Sequence, residues 1–159
     1  MRNIQTVLQE EDYTRIIAAC EELARESSAK VVFLVDKNGQ LIASAGNAGA
    51  MDTTSLATLA AGNIAATGGL AKLLGEQEFS ILFHEGEKDH LHLSIIAQRY
   101  ILVVVFDNKS ALGLVRLRVK QAGQQLESVF SEIAERGGKD ANPLFAEITD
   151  EDIENLFKD

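Results

Sequence analysis

The sequence predicts an α/β protein of the α+β kind, in the order α-β-β-α-β-β-β-α, with one five-stranded antiparallel sheet covered by helices. Three observations carry this. Apolar residues recur at helical spacing in three separated stretches, 10–28, 52–74 and about 110–136. Five short β-rich runs fill the gaps, at 31–35, 41–45, 79–84, 90–97 and 100–106. Each sequential pair of runs that no helix interrupts is joined by a short connection, so those pairs can close as hairpins.

The first helix opens on Glu10, Glu11 and Asp12, which suit the positive end of its dipole. Its apolar stripe is Ile16, Ile17, Cys20, Leu23 and Ala24. Between the first two β-runs lies Asp36-Lys37-Asn38-Gly39. An Asn-Gly pair there is a strong hairpin signal, because the favoured turn needs positive φ at both central residues. The second helix has Asp52 or Thr53 as N-cap and Gly75 as its stop. Later, Glu85–Asp89 is a polar connection and Gln98-Arg99 a tight turn. Asp107-Asn108-Lys109-Ser110 leads into the third helix, whose stripe includes Leu112, Val115, Val119, Ala122, Leu126, Val129, Phe130 and Ile133.

With 159 residues, of which 46% are hydrophobic, the chain fits one main domain with a proper core. The divisions expected are a domain at 1–136, a linker at 137–148 around a Gly137-Gly138 hinge, and a C-terminal amphipathic helix at 149–159. The net charge of −9 argues against nucleic acid and anionic membranes. It is unevenly placed: residues 140–159 hold seven acidic groups and one basic group, net −6, and the remainder is only −3. A single cysteine excludes a disulfide framework and a cysteine-based zinc site. No apolar run approaches the ~20 residues that cross a bilayer, and the first twelve residues lack a signal-peptide core. A soluble, reduced, cytoplasmic protein is expected.

The second helix is the most informative element. On a 100° wheel, Leu56, Leu59, Ala60, Asn63, Thr67, Leu70 and Leu74 form the face expected on the sheet. The opposite face holds Thr58, Ala61, Gly62, Ala65, Gly68, Gly69 and Lys72. Water-facing helix positions normally carry long polar side chains; here they are missing until Lys72. Three glycines cost roughly 0.5–1 kcal/mol each against alanine, which close approach by another backbone would offset. The face reads as a docking surface for a partner or a second copy of the chain. Cover by the third helix within one domain is the alternative.

Catalytic chemistry is sparse. There is no phosphate-cradling glycine loop of either familiar kind. His90 and His92 share one strand face and a hairpin could bring His84 near them, as zinc would need; ordinary polar positions on a wet edge hairpin are the simpler reading. Cys20, on an apolar stripe, reads as a buried structural thiol. No cofactor or metal site is expected. Arg116, Arg118 and Lys120 cluster early in the third helix, with Arg116 and Lys120 on one face, and suit an acidic partner. Arg15 either joins that surface or pairs with Glu11. In the tail, Thr149 and Asp152 resemble a capping box, and Ile148 and Ile153 a hydrophobic staple. With Leu144, Phe145, Leu156 and Phe157 they make a compact apolar set. So short a helix needs something to dock on: a partner is the favoured reading, its own domain the other.

The chain resembles the roadblock (dynein light-chain) domain family and, within it, the bacterial MglB-like group that partners the Ras-like GTPase MglA. The resemblance rests on residues 30–40 (KVVFLVDKNGQ), 52–56 (DTTSL), 68–72 (GGLAK), 106–110 (FDNKS) and 113–118 (GLVRLR), with 145–149 (FAEIT) and 155–157 (NLF) near the end. It implies a homodimer, two chains of which bind one GTP-loaded GTPase and accelerate hydrolysis, in the control of cell polarity and gliding motility. It further implies that the second helices lie side by side and carry the GTPase, with Ala65 and Gly69 at contact positions. Thr14, Arg15 and the Arg116–Lys120 cluster are implied as further contacts, and Ile148, Ile153, Leu156 and Phe157 as a docking helix that affects nucleotide exchange. The same resemblance implies a cytoplasmic regulator, concentrated at a cell pole, with no active site of its own. An inserted arginine should project from a loop or exposed turn, and only Arg99 sits in one. The resemblance instead implies that the dimer reshapes the GTPase so that its own residues reach the nucleotide. A dimerising scaffold or adaptor, and a small enzyme or metal protein built on the histidines, are the other classes.

Overall fold

The computed structural model describes residues 8–139. The elements are α1 (Glu10–Ser27), β1 (Val31–Asp36), β2 (Leu41–Gly46), α2 (Thr53–Leu73), β3 (Ile81–His84), β4 (Asp89–Ile96), β5 (Tyr100–Asp107) and α3 (Leu112–Lys139). The expected order holds. The strands form one antiparallel sheet in the order β2-β1-β5-β4-β3. The expected C-terminal helix at 149–159 and most of the linker lie outside the described residues. α3 overruns its expected end: Gly137 and Gly138 lie within it, not in a hinge. Among the described residues no helix is long and apolar enough to cross a membrane.

β1 and β5 lie at the middle of the sheet, and nearly every residue in them is buried. That explains their unbroken apolar composition: a strand covered on both faces has no polar side to alternate with. On one face Val32, Leu34, Leu102, Val104 and Phe106 pack against α1 and α3 through Ile16, Leu23, Val115 and Leu126. Tyr100 stacks on Phe130 there, with ring centroids 3.9 Å apart. On the other face Val31, Phe33, Val35, Leu93, Ile101 and Val103 meet α2. The α2 contribution is small: Ala57, Ala60, Ala61 and Ile64.

The β1–β2 hairpin forms, but not with the expected turn: Gly39 takes positive φ while Asn38 does not. The Gly39 N–H donates to the Asp36 carbonyl at 3.0 Å, so Lys37 and Asn38 are the central pair, and the register shifts between Leu34 and Val35. The Asp36 carboxylate accepts from the backbone N–H groups of Asn38 and Gln40, each at 2.9 Å, an Asx-type lock on the turn. Gly39 has φ +90, and a Cβ there would sit 3.2 Å from the Thr58 Cα of α2. Glycine is thus needed both for the turn and for the close approach of helix to hairpin. The β4–β5 turn differs by one residue: Ile96 pairs with Tyr100, and Ala97 and Gln98 take positive φ. That is the twist a tight hairpin demands, adopted here without glycine.

α1 and α3 run antiparallel and are tied at one end by Asp12. This carboxylate is 2% exposed and paired with the Arg136 guanidinium, while also accepting from the Gln9 backbone N–H at 2.8 Å. Arg136 holds the carboxyl below the ordinary carboxylate range, against the opposing effect of burial. Asp12→Ala should lower unfolding stability by about 2 kcal/mol at neutral pH, because a charged hydrogen-bond set is lost and its donors stay behind. The pair's contribution is complete above the unfolded carboxyl pKa of about 3.9 and disappears as pH falls through the lower folded value. Urea unfolding of both proteins across that range checks it, and parallel curves with no offset would contradict it.

Candidate docking surfaces and the family

α2 is apolar all the way round, so its pattern does not say which side turns inward. The structure rotates it away from the expected orientation. Ala57, Ala60, Ala61, Ile64 and Ala71 are buried. Leu59, Leu70 and Leu74, expected on the sheet, are exposed by 71%, 56% and 71%, and Leu73 by 84%. The physical reason is packing distance. β1, β4 and β5 already supply large side chains, so the helix surface that fits against them is its alanine stripe, and the leucines are left outside.

This rotation changes what the small-residue face does. Ala61 points into the core and is 7% exposed, so it floors the surface instead of presenting itself. Ala61, Ala65, Gly68, Gly69 and Lys72 do come together, around a hollow of about 320 Å³ also lined by Ile64. Nothing lies within 4 Å of where a Cβ would stand on Gly62, Gly68 or Gly69. Gly62 is exposed on the leucine side, and the Thr58 hydroxyl donates to the Thr54 carbonyl at 3.0 Å. The opposite wall consists of Lys37, Gln77 and Glu78, with Lys37 Nζ 2.9 Å from Glu78 Oε1. Sequence reasoning missed these three. They come from the β1–β2 turn and the segment before β3, and no local pattern links them to α2.

The remaining basic candidates lie elsewhere. Thr14, Arg15, Arg116, Arg118 and Lys120 belong to α1 and α3, on the other face of the sheet from α2. Within one chain, the candidates therefore make two surfaces. Arg15 pairs with Glu132 of α3, neither with Glu11 nor with the other basic residues. The Thr14 hydroxyl is turned back to the Glu10 carbonyl at 3.0 Å. Arg118 bridges to Glu26 at 3.2 Å and donates to Gln121 at 3.0 Å. Arg116 and Lys120 are exposed beside it.

The histidines do not share a site. β4 is an interior strand, so His90 and His92 are buried under α3, not on a wet edge. His84 is on the α2 side, with Nε2 2.9 Å from Asn63 Nδ2. His90 Nδ1 accepts from the Gly86 N–H at 3.2 Å, which leaves Nε2 to donate to Asn108 Oδ1 at 2.7 Å. His92 is 1% exposed, and neither ring nitrogen has a partner among the described residues. Cys20 is buried as expected, and desolvation pushes its thiol up to about 12, far from a reactive thiolate.

The Roadblock/LC7 domain profile matches residues 17–106, from within α1 to the end of β5. The chain belongs to the Roadblock/LC7 domain family. MglB of Myxococcus xanthus is 57% identical to this roadblock chain, with a TM-score of 0.77 over 80% of this chain and 96% of that one. The gliding protein MglB of Thermus thermophilus is 37% identical, with a TM-score of 0.75 over 79% and 96%. An MglB described in a tetrameric arrangement is 36% identical, with a TM-score of 0.76 over 80% and 96%. No curated protein sequence matches the chain.

Burial, and secondarily the nearby Arg116, holds His92 below its ordinary pKa and therefore neutral. A depressed histidine stabilises the fold fully above the unfolded value of about 6.5 and loses that contribution as pH falls towards the folded value. His92→Leu should flatten the decline in stability between about pH 7 and 5 relative to the parent. Thermal unfolding across that range measures the difference, and an unchanged pH profile would remove His92 from the account.

Proposed function

We propose that this roadblock chain is a GTPase activator that works as a homodimer. It binds a GTP-loaded MglA-like small GTPase, two chains to one GTPase, and stimulates hydrolysis in the cytoplasm in the control of polarity and motility. The observation that carries this reading is the outward side of α2 in a chain so similar to MglB. That side has exposed leucines along one edge and a hollow bounded by Ala65, Gly68, Gly69 and Lys72 along the other. A contiguous apolar helix face on a stable domain calls for cover. Leu59, Leu70 and Leu73 suit the same face of a second copy, which would set two hollows side by side for one partner. Thr58 and Gly62 flank that surface. Thr14, Arg15 and the Arg116–Lys120 cluster would contribute only where the partner reaches round to the other helical layer.

Activation proceeds by selecting one GTPase conformation, which requires tighter binding to that state than to the others. No arginine finger is invoked. Arg15, Arg118 and Arg136 are committed to Glu132, Glu26 and Asp12. Arg99, in the β4–β5 turn, is the exposed turn arginine to test.

GTP turnover by a purified MglA-like GTPase should rise with added chain and saturate near two chains per GTPase. Ala65→Arg and Gly69→Arg should abolish the rise while leaving the fold intact, because both positions are exposed and glycine in a helix interior costs roughly 0.5–1 kcal/mol. Arg99→Ala should activate normally. Full activation by folded Ala65→Arg protein would remove the hollow from the reading, and loss of activation in Arg99→Ala would restore an arginine finger. Binding without acceleration would make the chain a scaffold.

Leu70→Asp with Leu73→Asp should convert the dimer to monomer in sedimentation without loss of helix content. A dimer that survives both changes would place the self-association elsewhere.

A further inference from the structure

The first half of α3 carries an outward face that the fold leaves uncovered. Leu114 and Leu117, one turn apart, are 37% and 50% exposed. Arg116 and Lys120 lie together along one side of them, exposed and without an ion pair among the described residues. No acidic residue occurs from 108 to 126. The surrounding helical layer has the opposite sign: α3 continues with Glu127, Glu132 and Glu135, and α1 exposes Glu10, Glu11 and Glu21. This is therefore an apolar strip with a positive border in an otherwise negative layer.

The chain beyond α3 has the complementary character. Ile153, Leu156 and Phe157 fall at i, i+3 and i+4, one helical stripe. Asp150, Asp152 and Glu154 fall on the two flanks of that stripe. We propose that residues 148–157 of the same chain dock along the first half of α3, with their apolar stripe on Leu114 and Leu117 and one acidic flank against Arg116 and Lys120. The contact joins exposed apolar surface to opposite charge, each of which alone is weak for a short helix.

Chain length allows it. At 1.5 Å per residue, Lys120 lies roughly 28 Å back along α3 from Lys139. The nine steps from Lys139 to Ile148 span roughly 30 Å when extended. Ile148 can thus reach the level of Lys120, and a helix from there runs antiparallel to α3 over Leu117 and Leu114. The exposed leucines of α2 are a poorer fit. They lie across the sheet from the end of α3, and Lys72 is the one basic residue of their helix. A docked tail covers Arg116 and Lys120, so any partner that uses them has to displace it first. The proposal itself needs no GTPase.

The protein has no tryptophan, so Phe157→Trp in the full chain creates a single reporter, with Leu156→Trp as an independent second one. Docking predicts a blue-shifted emission and protection from acrylamide at low salt, both unchanged on dilution. It also predicts a red shift on adding Lys120→Glu or Leu117→Asp, exposed positions whose change is checked against the circular dichroism of the parent. Salt should weaken the protection, since the charges are at the surface. A solvent-like spectrum from both reporters overturns the proposal. So does protection that ignores both α3 substitutions, which places the tail elsewhere, or protection lost on dilution, which assigns it to a second copy.

Discussion

The two-sided burial of β1 and β5 is the constraint on which the rest depends. Phe33, Leu34, Ile101 and Leu102 are almost wholly removed from water, at about 1.5–3 kcal/mol for each large side chain. A sheet whose middle is apolar on both faces has to be covered twice. With three helices among the described residues, the division is two on one face and one on the other. α1 and α3 pack as a pair, while α2 is alone. A lone helix on a five-stranded sheet can be covered only by its own sheet, and its outer half stays bare. The exposed side of α2 thus follows from the topology as well as from its composition.

The choice of small residues on α2 acts in two directions. Towards the sheet, alanines let the helix settle on large side chains without overpacking. Towards the β1–β2 turn, Gly68 and Gly69 leave a hollow instead of a wall. The same feature brings Gly39 against Thr58, so the hairpin turn and the helix hold one another. A surface formed this way is shaped by missing atoms, and a partner can be recognised there by close backbone approach more than by charge.

Polar groups are admitted to the α1–α3 layer under specific terms. Asp12 is buried because Arg136 and the Gln9 N–H answer it. His90 is buried because a backbone N–H and Asn108 partner both of its ring nitrogens. His92 is the exception, buried beside Ser94 with neither side chain partnered among the described residues. A neutral imidazole tolerates that better than a charged one, which ties the integrity of this layer to pH.

By itself, the sequence determined the order of the elements, the presence of a hairpin turn between β1 and β2, the burial of Cys20 and the clustering of small residues on α2. Each of these is local. Periodicity within one segment, turn chemistry within four residues and the absence of long side chains all read directly from the chain. Tertiary structure decided which side of α2 turns inward, because an all-round apolar helix is oriented by what the sheet offers it. It also decided that Arg15 meets Glu132, that His84 parts from His90 and His92, and that the basic residues of α3 stand across the sheet from the hollow on α2. Those relations join residues distant in sequence, and they follow from strand order and strand parity, which no single segment encodes.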